Sequence, residues 1–200
     1  MSETDGLERL RVHTRVDVGD SCGVETMVHS VVLRANRDGA RRMAVYFYTD
    51  NVTTDGQQVL YELGKVIGGT IAEQVEFAHL GATAAVIVLD EELSVGQLTT
   101  LSVEWVLVTE PATTPEVDCY QMRSPWPIGH LGLEVRFLGQ LPATLKSWAI
   151  PRLDPAEAIP DQPPTELVPI ENVQVSVADV VGGGVRVEWQ WRAEAKAVCT

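Results

Sequence analysis

Leu131-Gly132-Leu133-Glu134-Val135-Arg136-Phe137 decides the fold class. Leu131, Leu133, Val135 and Phe137 alternate with Gly132, Glu134 and Arg136. A period of two puts the apolar set on one face of a half-buried strand, whereas a helix would repeat at 3.6. The final segment repeats the pattern: Val185, Val187, Trp189 and Trp191 face one way, and Arg186, Glu188 and Gln190 the other. Leu10 to Val18 does the same, with Val12, Thr14, Val16 and Val18 against Arg11, His13, Arg15 and Asp17.

Working outward, a Gly19-Asp20-Ser21 turn leads into Glu25–Ala35 as the return strand of a hairpin. Arg42–Thr49 is an aromatic strand with Tyr46, Phe47 and Tyr48. Weaker strands cover Gln58–Leu63 and Ile71–Phe77, with a hairpin turn at Gly64–Gly69. Ala84–Leu89 is apolar on both faces and suits a central strand. An acidic loop, Asp90–Gln97, precedes the alternating Thr99–Val108. Thr144–Ile150 and Asn172–Val177 complete the set. Pro151–Pro169 reads as a long extended loop with one helical turn at Asp154–Ala158. Prolines 111, 115, 125 and 127 oppose regular pairing and mark a boundary.

No long segment carries helical periodicity. The expectation is an all-β, antiparallel β-sandwich, as two small immunoglobulin-like sandwiches in tandem. The expected units are a disordered 1–7, a first sandwich over 8–110, a linker over 111–127, a second sandwich over 128–192 and a tail over 193–200. Val103-Glu104-Trp105 recurs as Val187-Glu188-Trp189, each after a glycine-containing loop, and Leu10–Val16 and Leu131–Phe137 are candidate equivalent strands. A duplication and one continuous sandwich with 111–127 as an insertion both remain open.

The chain has 200 residues, 45% hydrophobic and 22% charged, which suits a globular protein with its own core. Twenty-eight acidic against 15 basic residues give a formal net charge of -13. That balance makes nucleic acid and anionic membranes poor partners. The densest basic spot, Arg34, Arg37, Arg41 and Arg42 around an Asn36–Gly39 turn, reads as a solvated hairpin tip. No apolar run is long enough to span a bilayer as a helix. Met1–Asp5 lacks the features of a signal peptide. Cys22, Cys119 and Cys199 are an odd set without a Cys-x-x-Cys spacing, and reduced thiols in the cytoplasm are expected.

The histidines, His13, His29, His79 and His130, show no ligand spacing. His13 and His29 lie at near-mirror hairpin positions and are expected as a cross-strand polar pair. There is no Gly-x-Ser-x-Gly elbow and no phosphate-cradling glycine loop. Asp90-Glu91-Glu92, with Asp50 and Asp55, lacks a calcium-loop pattern. Neither catalytic residues nor a cofactor or metal is expected. Trp105, Trp189 and Trp191 fall on inward registers and are expected in the core. Trp126, between Pro125 and Pro127, is either a plug at the junction of the halves or an exposed contact residue.

Leu133–Phe137, Leu141-Pro142, Trp148 and Val185–Trp191 together resemble the β-rich C-terminal module of actinobacterial helix-turn-helix regulators of the XRE type. That module also occurs without its DNA-binding part. The resemblance covers residues 120–191 well and 8–108 loosely, and it implies a sensory or partner-binding region without assigned catalytic residues. No helix-turn-helix segment precedes Leu7, so DNA binding is not expected. The resulting expectation is a non-catalytic interaction or regulatory module of a bacterial cytoplasmic protein that docks a protein partner. Tyr46, Tyr48, Tyr120, Trp126 and Trp148 are the candidate contacts, with the strand Arg42–Thr49 and the loop Asp50–Gln57 first. The alternative is small-molecule binding in a pocket between the halves, lined by Tyr120, Trp126 and Trp148.

Overall fold

The computed structural model describes residues 6–19, 23–48, 61–77, 82–108, 117–124, 126–154 and 156–191. The chain is all-β and sandwich-like. Its strands are β1 (Leu7–Val18), β2 (Val24–Ala35), β3 (Ala40–Tyr48), β4 (Tyr61–Ile67), β5 (Gly69–Phe77), β6 (Ala82–Leu93) and β7 (Leu98–Leu107). These are followed by β8 (Val117–Arg123), β9 (Ile128–Phe137), β10 (Thr144–Arg152), β11 (Thr165–Leu167), β12 (Asn172–Val180) and β13 (Gly182–Gln190). Among the described residues no helix is long and apolar enough to cross a membrane.

The chain divides into two compact units, one of residues 1–10 and 28–113, the other of 11–27 and 114–200. The expected contiguous unit over 8–110 thus gives way to a division that falls inside β1 and β2. The expected linker also differs. Val117–Arg123 is strand β8, because nine residues free of proline separate Pro115 from Pro125 and seven of them pair along β13. The N-terminus differs as well: Leu7 opens β1 and is buried. The acidic loop expected at 90–97 starts later, since β6 continues through Asp90, Glu91 and Glu92 to a buried Leu93.

In the first unit, β3-β6-β5 form one sheet and β2-β7-β4 are successive neighbours in another. The connections at 36–39, at Gly68 and at 94–97 each carry the chain from one sheet to the other. The Arg-rich turn and the 64–69 glycines are therefore not hairpin tips, contrary to the sequence reading. Gly68 has φ +89, and a Cβ there would strike the Thr100 carbonyl, so this corner needs glycine. Phe47 packs on Tyr61 and Trp105, with ring centroids 4.6 and 5.9 Å apart. Around them Met43, Val45, Ala85, Ile87, Leu89, Leu101 and Val103 are buried.

In the second unit, β12-β9-β1 are neighbours, and β11-β10-β13-β8 form a separate sheet. Among the described residues β12–β9, β10–β11, β10–β13, β13–β8, β3–β6, β5–β6 and β4–β7 pair antiparallel, as expected. β1 pairs with β9 in parallel, Val12 against Leu131, Thr14 against Leu133 and Val16 against Val135. The two segments that looked like equivalent strands of a duplication are thus direct neighbours. Phe137 stands edge-on to Trp189 and Trp191, at 5.6 and 5.9 Å. Trp105 in the first unit and Trp189 and Trp191 in the second are all buried, as their registers require.

On the opposite face of β1 and β9, Asp17 is half-enclosed by cations. Arg136 Nε and Nη2 donate to its two carboxylate oxygens, each at 2.7 Å, and Thr26 Oγ1 donates at 3.2 Å. Burial pushes the Asp17 pKa up, but the Arg136 hydrogen bonds, the Arg15 and Arg136 charges and Thr26 outweigh it and hold the carboxyl below its ordinary value. A depressed folded pKa adds stability that is present above the unfolded value of about 3.9 and is lost as pH falls through the folded one. Asp17→Asn should therefore cost about 1.5–3 kcal/mol at neutral pH, the range for hydrogen bonds to charged groups. The deficit should shrink below about pH 4 in urea titrations; a pH-independent deficit would remove the ion pair from the account. Trp105→Ala and Trp189→Ala should each cost about 3–5 kcal/mol as core cavities, read from the same titrations.

Candidate interaction surface

Strand β6 is the middle of the three-stranded sheet, and its two faces have different fates. Thr83, Ala85, Ile87 and Leu89 are buried on one face. Ala82, Ala84, Val86 and Val88 on the other are only half-buried. Residues directly opposite one another on paired strands project to the same side. The register therefore builds this second face row by row. Arg42, Val88 and Thr70 form one row, Ala44, Val86 and Glu73 the next, then Tyr46, Ala84 and Val75. Ala82 and Phe77 follow. Tyr46 is 57% exposed, Val75 41% and Phe77 40%. Large apolar side chains in adjacent rows, flanked by half-buried alanines and valines, make a contiguous patch and not scattered surface residues.

Strand β5 adds to the exposure. Every residue after Gly69 in it is exposed, and among the described residues its only strand partner is β6. A nine-residue edge without proline, carrying Ile71, Val75 and Phe77, offers both apolar side chains and backbone groups to another chain.

The other candidate contacts behave differently. Tyr48 ends β3, where it pairs with Ala82, and its side chain lies outside the described residues. The loop 50–57 lies outside them too, as do Cys22, His79 and Cys199. Tyr120 is opposite Val187 on β13, and burial pushes its phenol pKa well above the ordinary value. Its register turns it towards the buried row of Val185, Val187 and Trp189, and the residue is half-buried. Trp126 is 36% exposed. Its backbone is tied on both sides by Ser124 Oγ, which donates to the Trp126 carbonyl at 2.9 Å and accepts from its N–H at 3.3 Å.

Trp148 was expected as a contact residue and is instead buried. It lies on the outer face of β10, but the proline-rich segment after β10 folds back over it. Leu153 and Ile159 pack against the ring, and Trp148 Nε1 donates to the Gln162 carbonyl at 2.7 Å. The Arg186 guanidinium stands 5.5 Å from the ring centroid. Among the described residues of this segment a 3-10 turn spans Ile159–Asp161, later than the helical turn expected at 154–158. Arg123 clamps the segment, donating to the carbonyls of Gly182, Glu157 and Asp154 at 2.8–2.9 Å. A side chain at Gly183 or Gly184 would collide with backbone of β10 or β8, so the glycine run serves close packing within β13.

The remaining polar cluster lies on β1, β9 and β12. His13 leans over Gly132, where a Cβ would come 2.9 Å from its Nδ1, and its Nε2 lies 3.5 Å from Glu134 Oε2. Asn172 Nδ2 donates to the other Glu134 oxygen at 2.9 Å. His29, expected opposite His13, has the parity of the buried Met27, Val31 and Leu33 on β2, whereas His13 shares the Asp17 side of β1. Among the described residues no three His, Cys, Asp or Glu side chains are grouped to hold a metal ion.

No family model matches the chain, and no curated protein matches it. Solved structures do. A Parabacteroides distasonis protein provisionally assigned as a protease superposes with a TM-score of 0.51 at 10% identity, over 94% of this chain and 41% of its own. An M1 zinc metallopeptidase from Deinococcus radiodurans gives 0.46 at 10% identity, over 91% and 42%. Yeast LTA4 hydrolase gives 0.45 at 10% identity, over 93% and 29%. The chain thus spans 41%, 42% and 29% of these three proteins, and at this identity the likeness speaks for the fold alone.

The Trp148 cover makes a direct expectation. Trp148→Phe keeps most of the ring and loses the bond to Gln162, so it should cost about 0.5–1.5 kcal/mol. Arg123→Ala should in addition speed limited proteolysis within 153–162. Unchanged cleavage there would show that the clamp does not hold the segment down.

Proposed function

We propose that this chain is a non-catalytic β module that docks a protein partner through the open face of β3, β6 and β5. One observation carries the reading: Tyr46, Val75 and Phe77 stand exposed beside Ala84 and Ala82, on the side of β6 opposite its buried Thr83, Ala85, Ile87 and Leu89. Burying apolar surface of this kind is worth roughly 25 cal/mol per Å². A second sheet, a helix or an extended segment laid on it would gain that energy. The edge of β5, unpaired among the described residues, offers strand addition as a supplementary mode. The fold likeness to a longer protein, of which this chain matches 41%, supports a role as one module in a larger assembly. The resemblance to the β module of helix-turn-helix regulators supports the same class of role. Peptidase activity is not carried over from the structural neighbours.

The double variant Tyr46→Asp, Phe77→Asp tests the reading. Both side chains are on the open face, so the thermal midpoint should stay close to that of the parent, surface changes being within about 0.5 kcal/mol each. Partner capture from an extract of the source organism should be lost. Equal capture by parent and variant, with both folded, would contradict the proposal.

A further inference from the structure

At one end of the open face the surface changes character. Arg37, Gly39, Arg41, Arg42 and Val88 line a recess of about 370 Å³. Three of the chain's 15 basic residues meet here, in a protein of net charge -13. Arg42 and Val88 are also the first row of the apolar face, so the recess opens directly onto it. Arg41 Nε donates to the Leu89 carbonyl at 3.1 Å, which fixes the guanidinium so that its two Nη groups form the free side of the fork. Planar forks of this kind pair bidentately with carboxylates.

We propose that the partner element taken up by this face is a segment with a carboxylate-bearing end and an apolar body. The carboxylates seat at Arg41 and Arg42, and the apolar side chains run along Val88, Val86 and Ala84 to Tyr46, Val75 and Phe77. This rests on the docking reading above and adds the chemistry and direction of the partner. Val88 and Ala84 are four residues apart on β6, about 13 Å at 3.3 Å per residue, so roughly seven extended residues cover the face and the recess.

The surrounding charges fit an end and not a long polyanion. Asp38 Oδ1 already accepts from the Val95 N–H at 2.8 Å. Glu92 Oε1 stands 3.2 Å from the position of a Cβ on Gly39, and Glu73 lies beside Val86 at the far edge. These carboxylates bound the positive area to the recess. A nucleic acid, which needs phosphate contacts along a stripe, would meet them and the net charge of the chain.

The test uses the full chain and fluorescently labelled peptides read by anisotropy. The probes are Leu-Val-Leu-Val-Gly-Asp-Glu and its counterpart Leu-Val-Leu-Val-Gly-Lys-Lys. The acidic peptide should bind saturably, at least about tenfold more tightly than the lysine peptide, and weaken with salt as exposed ion pairs do. Arg42→Glu should weaken the acidic peptide by at least about tenfold, a change of 1.4 kcal/mol, and reverse the preference. Circular dichroism checks that the variant is folded. Equal binding of the two peptides, indifference to Arg42→Glu, or no binding of the acidic peptide overturns the inference. So does displacement by inorganic phosphate at concentrations matching the peptide's own, which would make the recess a free-anion site. Concentration-dependent self-association in sedimentation equilibrium that Tyr46→Asp abolishes would give the face to a second copy, and also overturns it. Loss of partner capture in the Tyr46, Phe77 variant, with Arg42→Glu silent, would keep the docking reading and remove this one.

Discussion

Strand β6 is apolar on both sides, and a strand of that kind requires two coverings. The first is supplied within the unit: Ile87 and Leu89 are buried under a layer that includes Leu101, Val103 and Trp105. The second is not supplied by the described residues. Val86, Val88 and Ala84 are only half-covered by their neighbours on β3 and β5, and Tyr46, Val75 and Phe77 continue the surface. Apolar area left in water on a rigid sheet is a standing free-energy gain for whatever covers it. The functional reading follows from that imbalance, and the arginine recess at one end gives the surface a direction.

The second unit shows what a completed covering looks like. Its sheet β11-β10-β13-β8 is also apolar on its inner side, where Val185, Val187 and Trp189 pack with Phe137. On its outer side Trp148 would be as exposed as Tyr46, but the proline-rich segment lies over it, pinned by Arg123 and plugged by Ile159. Prolines suit this segment because they lower the entropy lost on ordering an extended cover. The two tryptophan-bearing cores are built on similar local patterns, Val-Glu-Trp on β7 and on β13, and their outer faces end in different states.

Local alternation was readable from the sequence because a period of two is a property of neighbouring residues. Leu131–Phe137, Val185–Trp191 and the inward registers of Trp105 and Trp189 all follow from it. So does the aromatic strand that holds Tyr46. Long-range choices were not readable. Val12 to Val18 and Leu131 to Phe137 carry the same alternation whether they are equivalent strands or parallel neighbours, and the parallel register, with Asp17 on Arg136 and His13 beside Glu134, distinguishes the two. Strand β8 was hidden by the prolines on either side of it. Burial of Trp148 depends on Ile159, eleven residues away in a segment with no periodicity of its own. The arginines of the recess read as a turn because their convergence with Val88 is made by pairing of β3 with β6.

Amide hydrogen exchange of the chain alone and in its native complex tests the central claim most directly. The account predicts added protection in β3, β5 and β6, from Arg42 to Phe47, Ile71 to Phe77 and Thr83 to Val88, with β9 and β12 unchanged. Protection confined to β9 and β12, around His13, Glu134 and Asn172, with Tyr46 and Phe77 exchanging as in the free chain, would contradict it.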